Sequence, residues 1–274
     1  MLLIASVVFY NPSEDCVRRA VELSKVFDHV VIVDNSSVSQ PSLGDDQRIT
    51  YIPLGSNQGI AVALNRALEF AKKGPWDFLM TFDQDSVYPA SRHTDVLTAL
   101  ERQKPDVAIY SLNPEGTERV KETEWQHPNF AITSGSFLRL SFFRENPISF
   151  MEELFIDGVD FEFNRQVLLH GGKLAENPDI TFGHTIGAPM TVPFLWKRVR
   201  VMNHSPIRYY YRFRNIYYLY HLDKKFYKYL YREVMRKERA KLYFLEPDSK
   251  NKIRMAKRGI RDAKHGILGP FLEK

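Results

Sequence analysis

Two aspartates two residues apart, Asp83 and Asp85, follow the apolar run Phe78–Phe82. At the end of a buried strand, such a pair can approach one hard cation together with phosphate oxygens, because these cations prefer oxygen ligands. The cation would then neutralise charge growing on a departing diphosphate. An Asp-X-Asp tripeptide also reads as a solvated acidic turn, and its place after a strand is what favours the metal reading. His184 lies between Gly183 and Gly187 in Phe182–Gly187. A lone histidine is often structural, but glycines suit a tight loop, and neutral imidazole commonly completes a carboxylate-held metal site. Asp157, Asp160 and Glu162 cluster after the apolar Leu154–Ile156. A general base must be an ionised group near the acceptor hydroxyl. The competing reading is helix capping by Asp157 or Asp160, with acidic first-turn residues suited to the helix dipole. Asp34 ends another apolar run and could accept a hydrogen bond from a base or ribose, or close an Asx-turn with Asn35, Ser36 and Ser37. Asn57, Gly59 and Asn65 frame a helix start, where backbone can approach a ligand and phosphate is favoured. A plain turn with a capping role uses the same residues.

The elements that must position these groups alternate. Leu2–Phe9, Val30–Val33, Ile49–Leu54 and Phe78–Phe82 read as strands. Helical spacing follows Pro12-Ser13 and runs again from about Ile60 to Lys72. Helices of this length between apolar strands imply crossover connections and a mostly parallel sheet covered on both faces. Ligands then bind outside the strands' carboxyl ends, where Tyr10-Asn11, Asp34-Asn35 and Asp83–Asp85 all fall. Beyond them, Asn129–Leu140 reads as a strand containing Ser134-Gly135-Ser136, and Phe155–Leu169 as a turn leading into a helix. Arg208–Leu242 reads as helical, Glu246–Lys252 as a polar break, and Ile253–His265 as a last basic helix.

The 274 residues suffice for one large core, or a core with a helical appendage. No stretch approaches the roughly 20 apolar residues of a membrane-spanning helix. Met1–Tyr10 is short, uncharged and without a cleavage pattern, so it reads as a buried strand and not a signal peptide. One cysteine, Cys16, excludes an internal disulfide framework and fits a reducing cytoplasm. The net charge of +5 conceals a split. Residues 190–274 carry 22 Lys and Arg against 7 Asp and Glu, or +15, while residues 1–189 carry 16 against 26, or −10. A basic tail of this kind meets something anionic: nucleic acid, anionic lipid or a lipid diphosphate. Tyr209–Tyr231 adds eleven Tyr and Phe interleaved with Arg and Lys. That mixture suits a helical core, a membrane interface or a single-stranded nucleic-acid platform. Neither an RRM aromatic box nor a KH Gly-X-X-Gly loop is present, which weighs against nucleic acid.

In order along the chain, these segments resemble glycosyltransferase family 2, the inverting GT-A fold, and most closely its bacterial rhamnosyltransferase branch. Val8–Pro12 resembles the first strand and nucleotide loop, Val31–Ser37 the second, and Asn57–Asn65 the helix after the third strand. Asp83-Gln84-Asp85-Ser86 stands at the family's metal motif, in the form typical of that branch. Thr133–Ser136 resembles the acceptor-side segment, Leu154–Phe163 the segment bearing the base, and Gly183-His184 the late metal-ligand loop. The match covers about residues 1–215.

The resemblance implies that Asp85, with Asp83 acting through water, holds Mg²⁺ or Mn²⁺ and that His184 is a further ligand. It implies nucleotide contacts from Tyr10, Asn11, Asp34, Asn57, Asn65, Asp83 and Gln84, with Asp34 near a uracil or thymine nucleoside. Related galactofuranosyltransferases place the base at the position matching Asp160. The family's commoner Glu-Asp pair is absent here, so Asp157 remains a rival. The expected architecture is a Rossmann-like GT-A domain over residues 1–205, with a mostly parallel sheet flanked by helices. A basic, aromatic helical region follows over residues 206–274. The expected activity is inverting transfer of L-rhamnose from dTDP-rhamnose to a lipid-linked saccharide in cell-surface polysaccharide synthesis. The enzyme would be cytoplasmic and peripheral at the anionic inner membrane face, without a nucleic-acid partner. A UDP-sugar donor is the first alternative and a basic membrane- or RNA-binding module the second. A sugar-phosphate nucleotidyltransferase would need a glycine-rich Arg-Lys signature that is missing.

Overall fold

The computed structural model describes residues 1–38, 43–114, 130–184, 190–194 and 196–273. Asn129, Thr185, Ile186 and Gly187 lie outside these residues. The chain forms two compact units. One comprises Met1–Met151 and Asp160–His184, the other Glu152–Val159 and the described residues from 190 onward.

The first unit is built on a seven-stranded sheet. Its strands are β1 (Leu3–Phe9), β2 (His29–Asp34), β3 (Ile49–Pro53), β4 (Phe78–Asp83), β5 (Val107–Pro114), β6 (Ser136–Arg139) and β7 (Lys173–Phe182), in the order β3-β2-β1-β4-β6-β5-β7. Only β6 runs against its neighbours; the other pairings are parallel. The helices are α1 (Glu14–Glu22), α2 (Ile60–Lys73), α3 (His93–Glu101), α4 (Leu140–Glu145) and α5 (Val159–Leu169).

Every residue of β1 is buried, because both of its faces are covered. Leu3, Ala5, Val7 and Phe9 pack into one core with Ala20 from α1 and Val96 and Leu100 from α3. On the opposite face α2 lies against β1, β2 and β4. Its buried side there is mostly alanine: Ala61, Ala63, Ala67 and Ala71, with Leu64 and Leu68. Such small residues let a helix lie close to a sheet. Ser13 caps α1 by accepting from the Cys16 amide, the role its residue type predicts.

The order of the strands reverses at β1. β2 lies on one side and β4 on the other, so the carboxyl end of β1 is a topological switch point. Register makes this specific: Phe9 stands opposite Asp34, and Val8 opposite Asp83.

The strand expected over Asn129–Leu140 is shorter in the fold. Gly135 has φ +79°, and the strand begins only at Ser136. A Cβ on Gly135 would lie 2.4 Å from the Phe182 ring, so a glycine is needed there on both counts.

The second unit contains a hairpin of β8 (Met190–Phe194) and β9 (Lys197–Val201). Its helices are α6 (Pro206–Leu222), α7 (Lys224–Arg232), α8 (Arg239–Phe244) and α9 (Ser249–Lys264). The helical stretch expected over Arg208–Leu242 is interrupted at Asp223, whose side chain caps α7 by accepting from the Phe226 amide. Among the described residues no helix is long and apolar enough to cross a membrane.

Candidate active site

Four hydrogen bonds join the loops at the switch point. Gln84, just past β4, accepts from the Tyr10 amide (2.8 Å) and donates to the Tyr10 carbonyl (3.2 Å), clamping the loop after β1. Asn11, in the left-handed region at φ +45°, donates its amide to Ser36 Oγ at 2.7 Å. The Asn35 amide donates to the Phe9 carbonyl at 2.8 Å. Tyr10 itself is half exposed at this edge.

Asp34 is 1% exposed, and both of its carboxylate oxygens have partners within the fold. Oδ1 accepts from the Ser36 amide (2.9 Å), an Asx-turn, and Oδ2 from the Tyr51 hydroxyl (2.6 Å). A carboxylate oxygen can accept more than one hydrogen bond, so capacity for a ligand remains. Asn57 Oδ1 accepts from Asn35 Nδ2 (3.0 Å) and from the Gly59 amide (3.1 Å). Asn35 Oδ1 in turn accepts from the Gln58 amide at 2.7 Å. The turn before α2 is thereby fixed to the end of β2, with Gly59 at φ +91° opening the helix. Asn65 points elsewhere. Its amide pairs both ways with the Phe150 backbone, at 2.9 and 2.8 Å.

Asp83, Asp85 and His184 come together. One potential ligand atom from each lies within 4.8 Å of the others, and among the described residues no other three His, Cys, Asp or Glu do so. Asp85 is exposed, while Asp83 and His184 are half-buried. A short ladder holds His184 in place: the Val87 amide donates to the Gly183 carbonyl (2.7 Å) and the Gly183 amide to the Val87 carbonyl (3.0 Å). His184 Nδ1 is 2.9 Å from Ser86 Oγ, which is 2.8 Å from Ser134 Oγ. Ser134 Oγ accepts from the Asp83 amide at 3.1 Å. With Nδ1 engaged, Nε2 is the ring nitrogen left for an ion, the usual arrangement of a metal-binding histidine. Two carboxylates and an imidazole suit a divalent cation that shares its remaining positions with phosphate oxygens.

The two aspartates considered as bases differ in surroundings. Asp157, at φ +63°, is bonded by Arg208 through Nε (2.6 Å) and Nη2 (3.1 Å), with Arg212 at 4.0 Å. Its loop is held by Asn215, whose Nδ2 lies 2.7–2.8 Å from the carbonyls of Leu154, Ile156 and Asp157. Asp160 lies in the first turn of α5 and accepts from the Phe161 amide at 3.1 Å. It lines a small cavity with Thr133, Ser136 and Asn164. Asn164 donates to the Ala131 carbonyl at 2.7 Å. Residues 131–136 therefore touch α5 on one side and, through Ser134, the Asp83 loop on the other. Glu162 is paired with Arg165 at 3.3 Å.

The sequence profile described as glycosyl transferase family 2 matches residues 6–172. The chain belongs to glycosyltransferase family 2. A dTDP-rhamnosyl transferase, RfbF of Shigella flexneri, is 30% identical over 239 residues, covering 79% of each chain. Among solved structures, S. aureus TarS 1-349 in complex with UDP aligns with a TM-score of 0.57 at 15% identity, covering 97% of this chain and 87% of that one. The same TarS segment with UDP-GlcNAc aligns at 0.53 and 15%, covering 97% and 73%. These likenesses show a GT-A-like fold. In this family 2 glycosyltransferase, Ser86 and Ser134 link His184 to the Asp83 backbone by hydrogen bonds. Ser86 stands 98 positions from its histidine partner, so only the fold reveals the pairing.

Proposed function

We propose that the protein transfers L-rhamnose from dTDP-L-rhamnose, with inversion, to a hydroxyl of a lipid-linked saccharide. The observation that carries the proposal is the convergence of Asp83, Asp85 and His184 at the carboxyl edge of the sheet, next to the switch point where Tyr10 and Gln84 are clamped. The donor is inferred from the likeness to RfbF. Asp85 and His184, with Asp83, would hold Mg²⁺ or Mn²⁺, which supplies positive charge against the nucleoside diphosphate as it leaves. The loops at Tyr10-Asn11, Asp34 and Asn57 would seat the nucleoside. Asn65 would act by fixing the backbone at Phe150 and not by direct contact.

In the proposed step Asp160 accepts the proton of the acceptor hydroxyl. The oxygen forms a bond to the anomeric carbon as the bond from that carbon to the diphosphate oxygen breaks, and dTDP departs with the electron pair. Asp157 fits a base poorly, because two hydrogen bonds from Arg208 already occupy its carboxylate oxygens. The acceptor would belong to a cell-surface polysaccharide assembled at the cytoplasmic membrane face. The basic tail would contact anionic lipid there, each near-surface Lys or Arg contributing on the order of 1 kcal/mol.

The test is release of nucleoside diphosphate from dTDP-rhamnose, dTDP-glucose, UDP-glucose and UDP-GlcNAc, each with Mg²⁺, Mn²⁺ or EDTA. Metal-dependent release from dTDP-rhamnose above the other donors is expected. Release from UDP-sugars alone would overturn the donor assignment and leave the family intact.

A further inference from the structure

The helical run from Lys224 to Phe244 passes from α7 through a π-helical turn, Glu233–Glu238, into α8 without leaving helical backbone at either joint. π-turns within α-helices frequently mark functional sites, since the wider turn re-aims the side chains around it. Here the turn borders a solvent-open concavity of about 510 Å³, lined by Tyr220, Lys228, Tyr231, Arg232, Met235, Arg236 and Arg239. That volume falls in the range of roughly 300–1,000 Å³ usual for small-ligand sites.

Lys228, Arg232, Arg236 and Arg239 recur at intervals of four, four and three across the π-turn, and all four line the concavity. Among the described residues no carboxylate lines the concavity. The nearby acids are committed elsewhere: Glu233 to Lys237 at 2.9 Å, and Glu238 to Arg212. Among the described residues none of the four cations has a carboxylate partner, so the concavity is strongly positive and locally uncompensated. Tyr220 and Tyr231 form one wall as a stacked pair, with ring centroids 4.0 Å apart. Burial pushes the Tyr231 phenol upward, so it stays a proton donor at neutral pH. Guanidinium forks and phenols are donors without competing negative charge, and Arg matches phosphate geometry through paired N–H groups. The same run exposes large aromatic surface: Tyr229 is 77% and Phe244 78% exposed. Exposed aromatics beside cations suit a bilayer interface.

We propose that this concavity binds the diphosphate of a membrane-anchored ligand, with Arg232, Arg236 and Arg239 as the phosphate-binding residues and Lys228 and the two tyrosines at its edge. The proposal rests on the reading of a lipid-linked acceptor and deepens it by naming the residues that would hold the anionic end. Diffuse attraction to anionic lipid would depend on the net charge of the tail, whereas a built site depends on these four positions.

The experiment is vesicle co-sedimentation of the full chain. Neutral phosphatidylcholine vesicles carry either a prenyl diphosphate or phosphatidylglycerol at equal surface charge, and inorganic pyrophosphate is the soluble competitor. The pocket variant is Arg232→Gln/Arg236→Gln. Its control is Arg254→Gln/Lys257→Gln, which removes the same charge from α9. The proposal predicts that wild type binds the prenyl diphosphate vesicles more tightly than the phosphatidylglycerol vesicles and is displaced by pyrophosphate. It also predicts that the pocket variant loses affinity by about tenfold or more, as expected for two charge-assisted contacts, while the control stays near wild type. The pyrophosphate arm needs no variant, so a misfolded mutant does not remove the test. Tight prenyl diphosphate binding with equal losses in both variants would overturn the pocket while leaving the lipid-linked acceptor standing. Wild-type binding no better than to phosphatidylglycerol, with no effect of pyrophosphate, would overturn both.

Discussion

Replacing Ser86 by alanine tests whether the hydrogen-bond chain behind His184 exists to serve a metal. Ser86 Oγ lies 2.9 Å from His184 Nδ1 and 2.8 Å from Ser134 Oγ, and the residue is only 6% exposed. For Nε2 to bind a cation, Nδ1 must carry the proton and donate it to Ser86. The substitution removes that acceptor and frees the imidazole to rotate or change tautomer. Loss of such an outer partner typically costs about 10–100-fold in metal affinity. The lower part of that range, about 1.4 kcal/mol, also matches one lost hydrogen bond. Buried Ser134 loses a partner as well, so stability should fall by roughly 1–3 kcal/mol, which a thermal melt measures separately. The assay is a calorimetric Mn²⁺ titration with saturating dTDP, paired with a dTDP titration in EDTA. The expected result is about tenfold or more weaker Mn²⁺ binding, unchanged metal-free dTDP binding, and recovery in Ser86→Thr, which keeps the hydroxyl. A folded Ser86→Ala protein with wild-type Mn²⁺ affinity would show that the Ser86 hydroxyl does not serve metal binding.

Two other perturbations separate roles that lie close in sequence. Asp160→Asn should lower the transfer rate by about 10²- to 10⁴-fold with donor affinity kept, the usual scale of general-base help. Asp157→Asn should act mainly on stability, through loss of the Arg208 pair, and full activity in Asp160→Asn with none in Asp157→Asn would reverse the assignment. Asn215→Ala leaves the carbonyls of Leu154, Ile156 and Asp157 without their shared donor. It should cost about 2–3 kcal/mol, a fall in melting temperature of roughly 4–10 °C for a chain of this size; an unshifted melt would show that water replaces the amide freely.

The parts legible in the sequence are those governed by local pattern. Apart from Ser6, Thr81 and the end residues His29, Asp34 and Asp83, β1, β2 and β4 are apolar because helices cover both faces of the sheet, and such runs stand out. The clusters at their ends are legible for the same reason: Asp34 and Asp83 mark where the apolar runs stop. What local pattern does not carry is pairing at a distance. Gln84 sits in the acidic motif, yet it bonds the Tyr10 backbone, 74 residues away. Asp157 and Asp160 look equivalent in sequence, and only Arg208, 51 residues on, separates them. The limit of β6 is a packing effect, since Gly135 turns the chain beside Phe182 where apolar content alone suggests a longer strand. Asp223 is different. Its cap was readable from residue type, but an aromatic-rich helical pattern on both sides obscures a one-residue break.

If Asp83, Asp85 and His184 hold a divalent metal for a nucleoside diphosphate, dTDP binding must depend on that metal. Calorimetric titration of dTDP with and without Mn²⁺, in wild type, Asp85→Ala and His184→Ala, tests it most directly. Mn²⁺ is expected to strengthen dTDP binding in wild type and in neither variant, while both variants keep the wild-type circular dichroism spectrum. Mn²⁺-enhanced dTDP affinity that persists unchanged in both variants would contradict it.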